Sequence, residues 1–168
     1  HANLKSLLLT SPLQNPLMSK FTLREASVKD IPHMQIVRHS VRENVLSNPD
    51  LVTTQHYEEY LTHRGKGWVA EVDGIVQGFA IADLQDRNIW ALFVHPDHEK
   101  QGLGRQLHDR MLRWYFEHGM DHVWLGTDPD TRADGFYRRS GWKPMGLRSN
   151  GEMRFEMTHE EWRQLDTQ

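Results

Sequence analysis

Val94-His95-Pro96-Asp97-His98-Glu99-Lys100-Gln101-Gly102-Leu103-Gly104-Arg105 follows an apolar run and leads into an amphipathic one. Two glycines at the junction of an extended segment and a helix leave backbone N–H groups uncovered. The helix start adds partial positive charge, so the junction suits an anion. A dinucleotide fingerprint needs a third glycine in its spacing, and a P-loop needs Lys followed by Ser or Thr after its last glycine. Neither is present here. What remains is a cradle for the pyrophosphate of coenzyme A, a nucleotide site resting on the glycines alone, or plain turn chemistry.

The flanking sequence supplies the frame. From Gly102, the residues Leu103, Leu107, Met111, Trp114 and Tyr115 recur every three or four positions up to Gly119, the stripe of a helix that packs on a sheet. Trp68-Val69-Ala70-Glu71-Val72 and the run from Ile75 to Ile81 flank Asp73-Gly74, a pair suited to a type I′ hairpin turn. A third strand runs from Asn88 to Val94, and Phe21 to Glu25 alternates as an opening strand. Asp30 caps a helix carrying Ile31, Met34, Val37, Val41 and Val45, and a second helix from Thr54 to about His63 is closed by Arg64-Gly65-Lys66-Gly67. His122-Val123-Trp124-Leu125 reads as a buried strand, so strand, helix and strand predict a parallel crossover. A short helix from Arg132 to Arg139 follows. Two strands, near Trp142 to Arg148 and Glu152 to Thr158, turn about Asn150-Gly151.

Composition narrows the function classes. The 168 residues suffice for one domain over 18–168, with residues 1–17, which include Ser11-Pro12 and Asn15-Pro16, read as an N-terminal arm or leader segment. A net charge of −3 and a pI near 6.4 argue against a generic nucleic-acid binder. Leu7-Leu8-Leu9 is the longest apolar run near the N-terminus, too short for a signal core or a membrane span. Cysteine is absent, which removes disulfides and thiolate chemistry, and a cytoplasmic location is expected. Eleven histidines carry no ligand spacing: Gly119 interrupts His118 and His122, so no metal is expected. The six tryptophans scatter as core and strand residues, with Trp90 and Trp142 expected nearest a cleft.

A second segment sharpens the reading. Thr131-Arg132-Ala133-Asp134-Gly135-Phe136-Tyr137-Arg138-Arg139-Ser140-Gly141-Trp142 lies downstream of the glycines. In order and spacing, residues 20–160 resemble the GNAT superfamily of N-acetyltransferases. That family's loop, Arg/Gln-x-x-Gly-x-Gly/Ala after Val-x-Pro, matches Val94-His95-Pro96 and Glu99-Lys100-Gln101-Gly102-Leu103-Gly104, with Glu99 as a departure. Its second signature, Asn-x-x-Ala-x-x-Phe/Leu-Tyr-x-x-x-Gly-Phe, matches Asp130, Ala133, Phe136, Tyr137, Gly141 and Trp142, with Asp130 in place of Asn.

The resemblance implies an α+β fold in α/β/α layers, its mixed, mostly antiparallel sheet splayed near residues 92–94 to admit acetyl-CoA as cosubstrate. It implies that the backbone of Leu92, Phe93 and Val94 holds the pantetheine arm. Lys100, Gln101, Gly102, Leu103, Gly104 and Arg105 would hold the pyrophosphate, Asp130 the amide arm, and Phe136 the cofactor's apolar edge. An amine attacks the acetyl thioester directly, and Tyr137 protonates the departing thiolate as general acid. The positions where the family often carries its base are occupied by Asn88, Trp90 and Leu125, leaving Glu43, Glu71 and Asp83, with Asp83 or Glu43 ranked first, or a water chain with no single base. Residues 38–46 would build the acceptor wall, with Arg42, Glu43, Asn44 and Trp90 meeting the acceptor, a small-molecule amine or a protein N-terminus. The superfamily is often dimeric, which makes a homodimer an expectation. The rival reading is a catalytically weak acyl-CoA-binding sensor or structural module.

Overall fold

The computed structural model describes residues 21–166, so the arm read over residues 1–17 lies outside the described residues. In chain order the elements are β1 (Phe21–Glu25), α1 (Ile31–Ser40), α2 (Thr54–Glu59, extended by a π-turn over Tyr60–Arg64), β2 (Gly65–Val72), β3 (Ile75–Asp83), β4 (Asn88–Val94), α3 (Leu103–Glu117), β5 (His122–Thr127), α4 (Arg132–Arg139), β6 (Lys143–Leu147), β7 (Met153–Thr158) and α5 (His159–Asp166). The strands form one sheet in the order β1-β2-β3-β4-β5-β7-β6. Every neighbouring pair is antiparallel except β4 with β5. This is the mixed α+β architecture expected, with helices on both faces.

Side-chain periodicity explains the layers. Leu103, Leu107, Met111, Leu112, Tyr115 and Phe116 of α3 are buried with Trp68, Ala70 and Ala80 on one sheet face. Ile31, Met34 and Val37 of α1 and Tyr57 of α2 cover Val69, Phe79, Ile81 and Ala91 on the other. Between β2 and β3 the turn residues Asp73 and Gly74 have φ of 52° and 79°, as a type I′ turn requires.

The parallel pair is short by construction. β4 and β5 register only at Asn88↔Trp124. There the Trp124 N–H donates to the Arg87 carbonyl, and its indole Nε1 donates to the Asp86 carbonyl, each at 3.0 Å. On its other edge β4 pairs Ala91 with Ile81 but Ile89 with Ala82, so Trp90 is the extra residue of a β-bulge. A bulge bends its strand and increases its twist. β4 turns away at that residue, and its edge from Trp90 to Val94 is left unpaired with β5.

Two sequence expectations need correction, and one helix was missed. α1 ends at Ser40, where Val41 turns extended (φ −70°, ψ 148°) and Val45 is exposed, so the apolar spacing overran the helix. Asp30 precedes that helix, but its carboxylate accepts the Ser27 N–H at 2.8 Å and pairs with Arg24. Gly65 caps the π-turn that ends α2 at Arg64, as read, and also opens β2; a Cβ on Gly65 would overlap the Ala82 carbonyl oxygen, an approach that only glycine permits. The helix α5, which sequence did not announce, stacks Trp162 on Phe116.

Trp142, expected near the cleft, lies beneath α3. Its indole N–H donates to His108 Nε2 at 3.0 Å, while His108 Nδ1 lies 2.8 Å from Asp109 Oδ1. These partners assign the neutral tautomer with hydrogen on Nδ1. Burial lowers the His108 pKa, with Asp109 opposing in part.

Two outcomes follow from these local geometries. His108 binds its proton less readily folded than unfolded, so its contribution to stability is complete above the ordinary value of about 6.5 and lost as pH falls through the lower folded value. Denaturant titrations should show this loss below pH 6.5, and His108→Gln should flatten that part of the profile. At the start of α3, Gly102 has φ of +90°, whereas Gly104 is helical and a methyl group placed on it would have only Val94 Cγ2 nearby, at 3.6 Å. Gly102→Ala should therefore cost about 1–2 kcal/mol, whereas Gly104→Ala should be neutral or stabilising; equal losses in urea melts would refute the assignment of strain to Gly102.

Candidate functional site

The gap between β4 and β5 opens into a cavity of about 1100 Å³. One end is built from β4, the loop before α3, and α4. Leu92, Phe93 and Val94 line it, with Lys100, Gly102, Gly104, Arg105, Phe136 and Tyr137. The first backbone bond closing α3 runs from Gln106 N–H to the Gly102 carbonyl. The N–H groups of Leu103, Gly104 and Arg105 thus have no intrahelical acceptor, the ordinary condition of a helix start. Lys100 and Gly102 both adopt positive φ, 64° and 90°, which turns the chain tightly into the helix. The Arg105 guanidinium sits 4.7 Å above the Phe136 ring.

Not every residue of the expected cradle faces the cavity. Leu103 is buried in the core under α3, leaving only its backbone for a ligand, and the Gln101 side chain lies beside His98 instead. Asp130 is also absent from the cavity wall: with φ of +62° it donates its N–H to Asp134 Oδ2, within the turn that starts α4. Glu99, the anionic departure in the loop, forms an ion pair with Arg132 at the first turn of α4, which offsets its charge.

The opposite wall comes from residues 41–47 and β4. Arg42, Glu43, Asn44 and Trp90 all line the cavity. Asn44, at φ +56°, accepts the Asp128 N–H at 2.7 Å and the Thr127 hydroxyl at 3.3 Å. Glu43 accepts the Arg132 N–H at 3.0 Å and so caps α4. Trp90 stacks on Tyr60, with centroids 4.1 Å apart. These contacts hold an irregular segment against the corner between β5 and α4.

The carboxylates sort differently from the sequence reading. Asp83 has no exposed surface and lies off the cavity, where Arg64 donates to it at 2.8 and 3.1 Å. It also accepts the Gln85 and Asp86 N–H groups, which makes it the organiser of the β3–β4 turn and not a base in the cleft. Glu71 pairs with Arg24 on the far side of β2. The cavity instead receives Asp128, whose carboxylate makes no hydrogen bond or ion pair among the described residues, and Glu152, which pairs with Arg148 at 2.7 Å. No motif marked either residue, and Tyr57 in the same wall was missed as well, whereas Arg38 opens the 38–46 stretch expected to build the acceptor wall. Only their positions at a strand end, a turn and two helices bring them together.

Tyr137 lies at the junction of the two ends, 6% exposed and packed against Phe136, Trp142 and Phe155. Its hydroxyl has no hydrogen-bond partner among the described residues. Burial pushes its pKa well above the ordinary phenol value. The group is therefore a neutral O–H donor across the physiological range, available to a ligand in the cavity.

No curated protein sequence matches this chain. Solved structures share its fold. The PaiA N-acetyltransferase of Thermoplasma acidophilum, solved in complex with coenzyme A, is 13% identical and aligns over 83% of this chain and 99% of its own, with a TM-score of 0.72. An N-acetyltransferase from Staphylococcus aureus is 17% identical over 84% of this chain and 99% of its own, at a TM-score of 0.70. The ribosomal-protein-alanine N-acetyltransferase of Brucella melitensis is 20% identical over 82% and 99%, at 0.68. Residues 34–142 match the model of the acetyltransferase (GNAT) family, well over half of the sequence, and they contain the parted strands and the helix start that shape the cavity. The chain belongs to the acetyltransferase (GNAT) family.

Proposed function

We propose that this protein is an acetyl-CoA-dependent N-acetyltransferase that moves an acetyl group directly to a primary amine of a small molecule or a protein N-terminus. One observation carries the reading: the unpaired edge of β4 and the free N–H groups of α3 open into the same cavity. Leu92, Phe93 and Val94 offer backbone donors and acceptors to the amides of a pantetheine arm, as a sheet edge does to an added strand. The N–H groups of Leu103, Gly104 and Arg105 meet the pyrophosphate, with Lys100 and Arg105 supplying positive charge. Acetyl-CoA, when bound, brings the activated acetyl group as a thioester. The coenzyme A complex of the Thermoplasma protein supports this choice of donor. The Brucella protein, named for the alanine of a ribosomal protein, supports a protein N-terminus as one acceptor class.

The residues at the junction then divide two protons between them. A free alkylamine of pKa about 10.4 is neutral in roughly one molecule per few thousand at pH 7, so its proton must be removed. Asp128, an unpaired carboxylate in the wall, takes it directly or through water; Glu43, which caps α4, borders the acceptor. Tyr137 gives its proton to the sulfur that leaves and is reprotonated by the second proton that the tetrahedral nitrogen releases, directly or through water. A positioned acid of this kind contributes about 10²- to 10⁴-fold.

Tyr137→Phe should leave the acetyl-CoA dissociation constant within about twofold while lowering kcat for any accepted amine by about 10²-fold. Calorimetry and release of free thiol measure the two. Wild-type turnover in the variant rules out the acid role, and binding of acetyl-CoA without thiol release across an amine panel favours the sensor reading.

A further inference from the structure

The acceptor wall carries a charge that the fold does not use. Arg38, in the last turn of α1, lines the cavity with its guanidinium 4.1 Å above the Phe93 ring. Its Nη1 is shut off from solvent with no hydrogen-bond partner, and no ion pair reaches Arg38 among the described residues. A buried donor normally has an acceptor, because an unsatisfied one forfeits its hydration without return. Burial accordingly lowers the Arg38 pKa, with Tyr57 and Asp128 opposing in part. Neighbouring Arg42 also lines the wall without an ion pair among the described residues. By contrast, Arg132 near the other end is paired with Glu99, and Arg64 on the rim of the sheet is paired with Asp83 and Asp86. Arg87, Arg110 and Arg139 also lack an ion pair among the described residues, but Arg38 is the one arginine there with a buried side-chain nitrogen left without a partner.

Asp128 shares the wall and belongs to the amine side of the site, so the two charges are arranged to read two groups of one molecule. The planar guanidinium, fixed on the Phe93 ring, presents its donors in a fork that matches a carboxylate. The geometry points to an acceptor that bears a carboxylate near its amine, with Arg38 as the residue that selects it; this rests on the transferase reading above. Two sources share that chemistry: a free amino acid, through its α-carboxylate, and a protein N-terminus with an acidic residue at its first or second position.

Matched probes separate the outcomes. Coenzyme A-saturated protein is titrated calorimetrically with L-amino acids against their α-amides, and with short peptides beginning in Asp or Glu, or carrying them second, against the Asn and Gln counterparts. Acetyl-CoA thiol release is measured on the same pairs. In the wild type, acid members of at least one pair should bind roughly tenfold more tightly, with the difference appearing in KM. Arg38→Gln should bring the members within about twofold of each other. The arm in which the preference appears names the source. Equal binding of acid and neutral members in every pair, binding of neither, or a preference that survives Arg38→Gln overturns the assignment. Acid-selective binding without thiol release sustains the role of Arg38 and overturns the transferase reading, whereas thiol release without acid preference does the reverse.

Discussion

The bend in β4 is the constraint on which the site depends. A seven-stranded sheet without it would continue its ladder from β4 into β5 and leave no opening. The extra residue at Trp90 shifts the register with β3 by one and bends the strand, and beyond Asn88 no residue of β4 pairs with β5. Unpaired backbone polar groups are tolerable at the surface of a cleft, where water or a ligand satisfies them, and costly in a closed core. The sheet therefore stays intact at Asn88↔Trp124, where two further hydrogen bonds from Trp124 close the crotch, and opens only toward α3.

Once the strands part, their neighbours must be held apart. The segment after α1 does this with polar contacts and not with regular structure: Asn44 takes the Asp128 N–H, and Glu43 takes the first N–H of α4. Glu99 and Arg132 tie the loop before α3 to the same helix. At the closed end, Arg64 reaches from the π-turn after α2 to Asp83 and Asp86 and fixes the β3–β4 turn. Such a buried pair is costly to break, because either partner alone would be an uncompensated charge. Its carboxylate is thus a structural anchor, although its type and chain position suited a base.

Much of this architecture was legible in the chain. The span Asn88–Val94, the start of α3 at Leu103 and the short helix Arg132–Arg139 are as read, because each rests on a local signal: alternation, a positive-φ glycine, a capping Thr with a glycine beyond. The overrun of α1 past Ser40 has the opposite origin. Val41 and Val45 keep helical spacing, yet the chain is drawn away by the contacts of Asn44 and Glu43 on residues more than 80 positions distant. Gly65 is the helix stop that was read and, beyond what the sequence showed, the close pass of β2 against the Ala82 carbonyl.

The sequence by itself determined the family pattern, the anion-suited helix start, and the candidates Tyr137, Arg42, Glu43, Asn44 and Trp90, because these depend on residue type at short spacing. Only the tertiary structure decided which charges face the cavity. Asp83 is held by Arg64 off the cavity and Asp130 lies outside its wall, whereas Asp128 and Arg38 line it from a strand end and a helix end. A carboxylate's chemistry is local, but whether it is spent on a partner or left facing a ligand depends on what the rest of the chain brings within hydrogen-bonding distance, which no short stretch of sequence encodes.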